Sequence, residues 1–261
     1  MVDLIDVIPA RWHDRLDGYA IVGDGEGWSD AEIFRLEKPG ASALFLKREA
    51  VGRFAELPAE GERLRWLAAQ NVPVPEVIGT ADTDRFHHLL MRALPGADLD
   101  HADLAPDRKV TLAAMALRRL HALPVADCPF DRRLGTTVAL AAARFEAGLV
   151  DESDFDDENR DLGGAALLAK LKVLRPSDED LVVAHGDAGF GNLMVDRNEF
   201  AGFIDVGRLG VADRALDLSI MARDIEADCG RDWLPAFFAA YGLGTPNAGR
   251  MAYYRLLDEF F

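Results

Sequence analysis

The sequence predicts an α+β fold with a β-rich N-terminal lobe and a mainly helical C-terminal lobe. Over the first 95 residues, short β-compatible runs alternate with Gly-rich or Pro-Gly turns, and one helical stretch lies among them. After the Pro95-Gly96 turn, apolar residues recur mostly at helical spacing. The boundary between the lobes is therefore predicted at this turn, with residues 1–95 in the first lobe and residues 96–261 in the second.

Three strands and a helix are predicted in order at the start of the first lobe. The strands are YAIVGD, AEIFRLE and ALFLKRE, and the helix is LPAEGERLRWLAAQN. In this helix Leu64, Leu67 and Ala68 fall at i, i+3 and i+4, and acids in its first turn suit a helix N-terminus. VPVPEVIG ends the helix, and FHHLLMRALPG predicts a further strand that stops at the boundary turn.

The second lobe begins with a predicted helix in PDRKVTLAAMALRRLHAL, where Asp107 is placed to cap it. Its apolar face consists of Val110, Ala113, Leu117 and Leu120. TTVALAAARFEAGLV and GGAALLAKLKVLRP continue the helical pattern. LVVAHGD predicts a strand, and LMVDRNEFAGFID predicts a hairpin that turns at DRNE. Three helical stretches close the chain: RALDLSIMARDIEADC, WLPAFFAAYG and AGRMAYYRLLDEFF.

Composition and charge exclude several classes of protein. A chain of 261 residues that is 49% hydrophobic can bury a large core. The N-terminus lacks the pattern of a signal peptide and no apolar run is long enough to cross a bilayer, which predicts a cytoplasmic protein with no membrane partner. A net charge of −16 disfavours nucleic acid and suits a cationic ligand, although acidity that only maintains solubility is the alternative. The sequence leaves the oligomeric state open.

Residues 181–214 contain oxygen-bearing side chains at positions that suit phosphoryl transfer. If the hairpin forms, Asn192 lies where its first strand begins and Asp205 where its second strand ends, so both reach the same end. An amide oxygen and a carboxylate suit Mg²⁺. Asp187, on the loop before the hairpin, could orient an incoming hydroxyl. Each of the three residues alone is also a common turn former.

The motif HGDAGFGN followed by GFIDVGRLGVADR resembles the Brenner-type phosphotransferase motif, and more narrowly the aminoglycoside 3'-phosphotransferases. The resemblance covers essentially the whole chain. It implies a bilobal protein-kinase-like fold, ATP and Mg²⁺ as cofactors, Asp187 as the catalytic base, and Asn192 and Asp205 as magnesium ligands. His185 is expected to support the loop through a hydrogen bond. The spacer AGFG differs from the bulkier, Pro-containing spacer of relatives, so the source of rigidity in this loop is an open question.

Lys47 is the candidate cation for the nucleotide phosphates. It lies within the apolar strand ALFLKRE, where a buried cation needs an anionic partner. Glu60 at the head of the next helix could be that partner, and the resemblance favours it over Glu62. The alternative is a lysine on an edge strand that extends to solvent.

Other nucleotide contacts are suggested more weakly. The glycines of GDGEGWSD would let backbone N–H groups approach phosphate, although a Gly-rich hairpin turn explains the same residues. The resemblance places Ser29 near the phosphates and pairs backbone groups of Arg92 and Leu94 with adenine. Phe45, on the same strand face as Lys47, could stack on the base or could belong to the core.

Acidic residues at two places suggest a polycationic substrate. The run DESDFDDENRD, residues 151–161, is typical of a solvated loop, but carboxylates that converge on one polycation would capture it. The LLDEFF tail continues an apolar helical pattern through Tyr254, Leu257 and Phe261, which predicts that it docks. The resemblance implies that the substrate is an aminoglycoside. Its binding residues would be Asp157, Glu158, Asp258, Glu259 and the terminal carboxylate of Phe261. Three further residues would lie beside the substrate or in the network that supports it: Arg208, Arg223 and Asp224. Arg208 could instead be a structural ion-pair partner.

The sequence thus predicts an ATP-dependent phosphotransferase that modifies the 3'-hydroxyl of aminoglycosides and confers resistance. One alternative is a kinase of another small hydroxylated molecule, such as a macrolide, an amino alcohol or a sugar. Another is a nucleotide-binding protein without transfer activity, which the presence of Lys47, Asp187, Asn192 and Asp205 disfavours.

Overall fold

The computed structural model describes residues 4–22, 31–156 and 159–261. The chain divides into two compact units. The first comprises Met1–Gly96 together with Ala201–Gly207, and the second comprises Ala97–Phe200 together with Arg208–Phe261. The segment Ala201–Gly207, which the sequence analysis assigns to the second lobe, therefore belongs to the first unit.

The first unit contains a five-stranded antiparallel sheet and one long helix. Its elements are α1 (Leu4–Val7), β1 (Ala20–Val22), β2 (Ala31–Glu37), β3 (Leu44–Ala50), α2 (Leu57–Ala69), β4 (Val77–Asp82) and β5 (Phe86–Arg92). The strand order is β1-β2-β3-β5-β4. The central strand β3 therefore has a partner on each side, and Lys47 lies opposite Ile33 of β2 and Leu89 of β5.

The two faces of β3 have different neighbours because side chains alternate along a strand. Leu44 and Leu46 point into an apolar core shared with Val7 and Trp12. Lys47 lies on the opposite face and contacts α2. The predicted strands and the predicted helix of this unit are therefore confirmed to within a few residues, while β4 was not predicted.

The second unit is mainly helical and carries short strands. Its elements are β6 (Ala97–Asp98), α3 (Pro106–His121), α4 (Leu134–Glu146), α5 (Gly164–Leu174), β7 (Leu181–Ala184), β8 (Leu193–Asp196), β10 (Gly210–Asp213), α6 (Ala215–Asp228), α7 (Leu234–Tyr241) and α8 (Ala248–Asp258). β9 (Glu199–Phe203) begins in this unit and continues into the segment assigned to the first. β7 pairs with β10 in antiparallel fashion, and β6 pairs with β8. The α+β class, with a β-rich first part and a mainly helical second part, is confirmed.

The core of the second unit is built by α4, α5, α6 and α8. Tyr253, Tyr254 and Leu257 of α8 are almost completely buried in it, and so is Phe260 beyond the helix. The prediction of a docked tail is therefore confirmed. The predicted cap of α3 is wrong: Ala105 occupies the N-cap position without a side-chain hydrogen bond, and Asp107 lies inside the first turn.

Across the described ranges, none of the helices combines the length and the apolar character that a bilayer span requires.

We expect Gly202→Ala to destabilise the protein by about 1–3 kcal/mol. Gly202 has φ of +154°, and an added Cβ would lie 2.8 Å from the main-chain oxygen of Pro73 and 2.7 Å from a methyl group of Leu94. That oxygen already accepts the N–H of Phe203, so it cannot move without loss of the bond.

Urea unfolding of the Gly202→Ala variant would measure this loss. The matched control is Gly244→Ala, because nothing lies within 4 Å of the Cβ that it would add. The control should stay within about 0.5 kcal/mol of the parent protein. Equal effects of the two substitutions would contradict the steric argument.

Candidate active site

Lys47 forms a buried ion-pair cluster within the first unit. Its Nζ donates to both carboxylate oxygens of Glu60, at 2.8 and 3.0 Å, and to Oδ1 of Asp205 at 3.1 Å. The Lys47 and Glu60 side chains are only 10% and 5% exposed. Burial lowers the pKa of Lys47, but the two carboxylates raise it by more, so the net shift is upward and the ammonium stays charged. The pairing of Lys47 with Glu60 is as predicted.

Asp205 lies two residues beyond β9, in the segment that belongs to the first unit. Its φ of 55° is uncommon for a residue with a side chain. The side chain is 43% exposed, in contrast to that of Glu60. Lys47 therefore has one buried partner, Glu60, and one partly exposed partner, Asp205.

The proposed adenine contacts lie at the end of β5. The N–H of Arg92 donates to the main-chain oxygen of Glu76 at 2.9 Å, so the carbonyl of Arg92 is the group left for a base. Leu94 follows two residues later in the chain. Phe45 is half-buried, and the guanidinium of Arg35 lies 5.7 Å from its ring centroid.

Three predicted site residues lie outside the described residues. They are Ser29, with the surrounding GDGEGWSD loop, and Asp157 and Glu158 of the acidic run. Their roles stay predictions.

In the second unit, the loop after β7 brings together the side chains proposed for catalysis. Asn192 Nδ2 donates to the main-chain oxygen of Asp187 at 2.8 Å and to its Oδ2 at 3.2 Å. Because the amide nitrogen makes both contacts, the amide oxygen of Asn192 is the group that can bind a cation. His185 is fully buried, and its Nδ1 accepts the main-chain N–H of Asp187 at 3.3 Å. This is the supporting hydrogen bond expected of His185.

A buried carboxylate that the sequence analysis missed fixes the same loop. Asp217 of α6 accepts the main-chain N–H groups of His185 at 2.7 Å and Gly186 at 2.8 Å. It also lies 2.9 Å from Nε2 of His121. Burial by itself would raise the pKa of Asp217. The hydrogen bond and charge of His121, the charge of His185 and the Gly186 N–H outweigh burial and hold the pKa below its usual value.

The AGFG spacer obtains its rigidity from burial. Ala188 and Phe190 are fully buried. The Phe190 N–H donates to Oδ2 of Asp224 at 2.7 Å, and its carbonyl accepts the N–H of Leu99 at 3.2 Å. A Cβ added at Gly189 would lie only 2.8 Å from Oδ2 of Asp224. The small residue at Gly189 thus lets a carboxylate hold the loop, and the spacer needs no proline.

Asp187, Asp224 and Asp258 form an acidic group in the second unit, and Arg223 forms ion pairs with the last two. Arg223 Nη1 lies 3.0 Å from Oδ2 of Asp258, and its Nε lies 3.8 Å from Oδ1 of Asp224. Burial is the main cause that raises the pKa of Asp224 and of Asp258, and the negative charge of Asp187 raises both further. Arg223 opposes these shifts without cancelling them. Burial therefore disfavours the ionised form of both acids more than Arg223 favours it.

Arg208 and Phe261 contact each other in the second unit. Arg208 Nη2 donates to the main-chain oxygen of Phe261 at 2.8 Å. The guanidinium groups of Arg132, Arg144 and Arg208 all lie within 5.7 Å of the Phe261 ring centroid. Arg208 thus has a structural contact, which was one of its two predicted roles.

Glu259 binds the end of the acidic run. Its two carboxylate oxygens each lie 3.1 Å from the main-chain nitrogen of Asp156, and Oε1 accepts Nδ2 of Asn159 at 2.7 Å. Arg255 Nε donates to Oδ2 of Asp156 at 2.6 Å. The tail therefore holds the two described residues on either side of positions 157 and 158.

Within residues 4–22, 31–156 and 159–261, no group of three or more His, Cys, Asp and Glu side chains could hold a metal ion. The two ligands predicted for magnesium, Asn192 in the second unit and Asp205 in the first, supply one amide oxygen and one carboxylate. Asn192 and Asp205 are hard oxygen ligands, and Mg²⁺ usually takes few protein ligands and completes its shell with waters and phosphates. The donor set therefore fits Mg²⁺.

Comparison with known proteins identifies the family. The model of the phosphotransferase enzyme family matches residues 20–254. The chain belongs to this family. Among its relatives is an aminoglycoside 3'-phosphotransferase of Streptomyces fradiae, which is 38% identical over 90% of this chain and 93% of the relative.

Two solved structures of aminoglycoside phosphotransferases have a similar fold. The crystal structure of the type VIII aminoglycoside 3'-phosphotransferase superposes with a TM-score of 0.88 at 38% identity and covers 99% of each chain. The phosphotransferase APH(3'')-Id of Streptomyces rimosus, in complex with ADP and streptomycin, gives a TM-score of 0.81 at 28% identity, over 100% of this chain and 99% of that one. The kinase-like fold inferred from the sequence is therefore confirmed.

We expect Asp217→Asn to destabilise this phosphotransferase by about 1–3 kcal/mol, because an amide nitrogen would face a main-chain N–H of the loop. The folded-state pKa of Asp217 lies below its usual value. Its contribution is therefore complete above the unfolded carboxyl pKa of about 4 and is lost as pH falls through the folded pKa. The stability gap between parent and variant should be constant near neutrality and should narrow below about pH 4.

Urea unfolding as a function of pH would test this expectation. The control is Asp103→Asn, an exposed acid, which should unfold like the parent within about 0.5 kcal/mol. A gap that widens on acidification would contradict the role assigned to Asp217.

Proposed function

We propose that this chain is an ATP- and Mg²⁺-dependent phosphotransferase that phosphorylates the 3'-hydroxyl of aminoglycosides and thereby confers resistance to them. The observation that carries the choice of acceptor is the grouping of three carboxylates, Asp187, Asp224 and Asp258, with Arg223 in ion-pair contact with the last two. A polycation with several ammonium groups would add favourable charge interactions there. A neutral sugar or a macrolide would add fewer of these interactions.

In the first unit we assign nucleotide binding to the cluster around Lys47. Its ammonium would bind the phosphates, and Glu60 holds it in place from the enclosed side. We assign Ser29 to the phosphates, Phe45 to the face of the base, and the backbone groups of Arg92 and Leu94 to its edge. The carbonyl of Arg92 is the acceptor in that pairing, because its N–H is bonded to Glu76.

We assign Asn192 and Asp205 to Mg²⁺. When bound, the ion would neutralise the charge on the nucleotide phosphates during transfer. The contact between Asn192 Nδ2 and Asp187 orients the amide so that its oxygen is the metal-binding atom. Asp205 is the exposed partner of Lys47, and its carboxylate is therefore accessible to a cation.

Asp187 is the proposed catalytic base. Its main-chain N–H is held by His185 and its carboxylate by Asn192, so the carboxylate is oriented before any substrate binds. From this position it would accept the hydrogen bond of the attacking hydroxyl and then its proton.

The acceptor is assigned to acids and arginines of the second unit. Asp258 and Asp224 would contact ammonium groups directly, and Arg223 forms ion pairs with both acids. Glu259 and Arg208 would support this site indirectly. Glu259 binds the main chain of Asp156, and Arg208 binds the main-chain oxygen of Phe261. The remaining assigned contacts to the acceptor are Asp157, Glu158 and the main-chain oxygen of Phe261. Because the reaction consumes ATP, we place it in the cytoplasm.

A coupled ADP-release assay tests the proposed activity. The acceptors are kanamycin, neomycin, an aminoglycoside that lacks the 3'-hydroxyl, a macrolide and choline. Release with the first two, no release with the other three, and NMR evidence of phosphate at the 3'-oxygen are expected. Release with the macrolide or choline would favour another small-molecule kinase. No release with any acceptor, in the presence of measurable ADP binding, would favour a nucleotide-binding protein without transfer activity.

We expect Asp187→Asn to lower kcat by about a hundredfold or more, because the amide cannot take up the proton of the hydroxyl. The dissociation constant for ADP should stay near that of the parent, since the substitution preserves size and the contacts with Lys47 lie in the first unit. Steady-state kinetics and calorimetric ADP titration would check both results. Near-normal turnover would exclude Asp187 as the base.

We also expect acidification to weaken aminoglycoside binding. The raised pKa values of Asp224 and Asp258 mean that these carboxyls take up protons above the usual carboxyl range near pH 4, and protonation removes the charge that ammonium groups need. Calorimetric titration with kanamycin between about pH 7 and pH 5 would check this. Asp258→Asn should bind more weakly at neutral pH and depend less on pH. Tighter binding at the lower pH would contradict the expectation.

A further inference from the structure

Glu49 of β3 is a buried carboxylate with no assigned role. It lies two residues after Lys47 on the same face of the strand, and only 8% of the residue is exposed. One oxygen accepts the main-chain N–H of Glu56 at 3.1 Å, and the other accepts that of Leu57 at 2.7 Å. Both oxygens of Glu49 therefore bind the start of α2.

The contacts suit the physical chemistry of a helix end. The first N–H groups of a helix have no partner within it, and their partial positive charge favours an anion. Glu56, at the N-cap position of α2, provides no capping hydrogen bond through its side chain. Glu49 supplies the cap from the neighbouring strand, and the two donors in turn satisfy its buried charge.

β3 thus holds α2 at two points. Glu49 binds the residues at the helix start, and Lys47 binds Glu60 in the first turn. The two points are linked directly, because the N–H of Glu60 donates to the main-chain oxygen of Glu56 at 3.0 Å. A displacement of the helix start would therefore shift Glu60 relative to Lys47.

We propose that Glu49 is a positioning residue that keeps Glu60 against Lys47 and so keeps the lysine ready for the nucleotide phosphates. This inference deepens the proposed function and rests on it. Glu49 does not touch the nucleotide. It acts through the position and orientation of α2 on the sheet.

Substitution of Glu49 should separate nucleotide affinity from acceptor affinity. In Glu49→Ala, the KM for ATP and the dissociation constant for ADP should rise about fivefold, the equivalent of one lost helix cap, while the KM for kanamycin stays unchanged. Glu49→Gln keeps one acceptor oxygen and should give a smaller rise. It also remains informative if the alanine variant folds poorly.

A matched control separates positioning from general stability. Asn247 caps α8 in the second unit, where its side chain accepts the N–H of Arg250 at 3.0 Å. Asn247→Ala should lower the melting temperature by a similar amount but leave ADP affinity unchanged. If Glu49→Ala also lowers only the melting temperature, Glu49 is a structural residue and the inference is overturned.

A double-mutant cycle tests the route through Glu60. In a Glu60→Gln background the substitution of Glu49 should have no further effect on ADP affinity, because the group that it positions is already altered. Independent effects of the two substitutions would overturn the inference. Lys47→Ala tests the underlying proposal separately: ADP affinity that does not fall in this variant removes the nucleotide role of the whole cluster.

Discussion

Rigid placement of the loop after β7 depends on one buried carboxylate, Asp217. Its bonds go to main-chain N–H groups of His185 and Gly186, so they fix the backbone from which Asp187 projects. The conformation also requires Gly186, because its φ is +88° and a Cβ there would collide with the main-chain oxygen of Arg208. Side-chain contacts then orient a carboxylate whose Cα position is already set. The carboxylate of Asp187, the proposed base, is therefore held in place although it is partly exposed.

The first unit contains a buried cation, the ammonium of Lys47. Its charge has to be stabilised by the protein and, in the proposed function, has to remain able to bind phosphate. Lys47 has an enclosed partner, Glu60, and an exposed one, Asp205. The enclosed partner offsets the cost of removing the ammonium from water in every state of the protein. In the proposed function, the exposed partner would bind the metal ion beside the phosphates. The difference in exposure between the two carboxylates matches the different roles that we propose for them.

The sequence predicted the elements that have strong periodicity, and it predicted the ion pair of Lys47 with Glu60. α2 and α3 were found because apolar residues recur on one face, and Lys47 was found because a cation in an apolar strand needs a partner. β4 and β10 were missed, since VPVPEVIG and GRLGVADR are rich in turn formers. β4 pairs with the next strand, β5, whereas β10 pairs with β7, which lies well before it in the chain. Asp217 was missed although it lies between buried Leu216 and Leu218, because its donors come from a segment about 30 residues away.

The residues of the proposed acceptor site are also far apart in the sequence, so local motifs do not reveal that site. Asp187, Asp224 and Asp258 come from a loop and from two helices, and their effect arises only when the fold places them near one another. Arg223 forms ion pairs with Asp224 and Asp258, which come from α6 and α8. A net charge of −16 spread over the surface could attract any cation. If the proposed function holds, a partly buried group with fixed spacing would favour a ligand whose ammonium groups are themselves held apart by rigid rings, and so would give selectivity for an amino sugar.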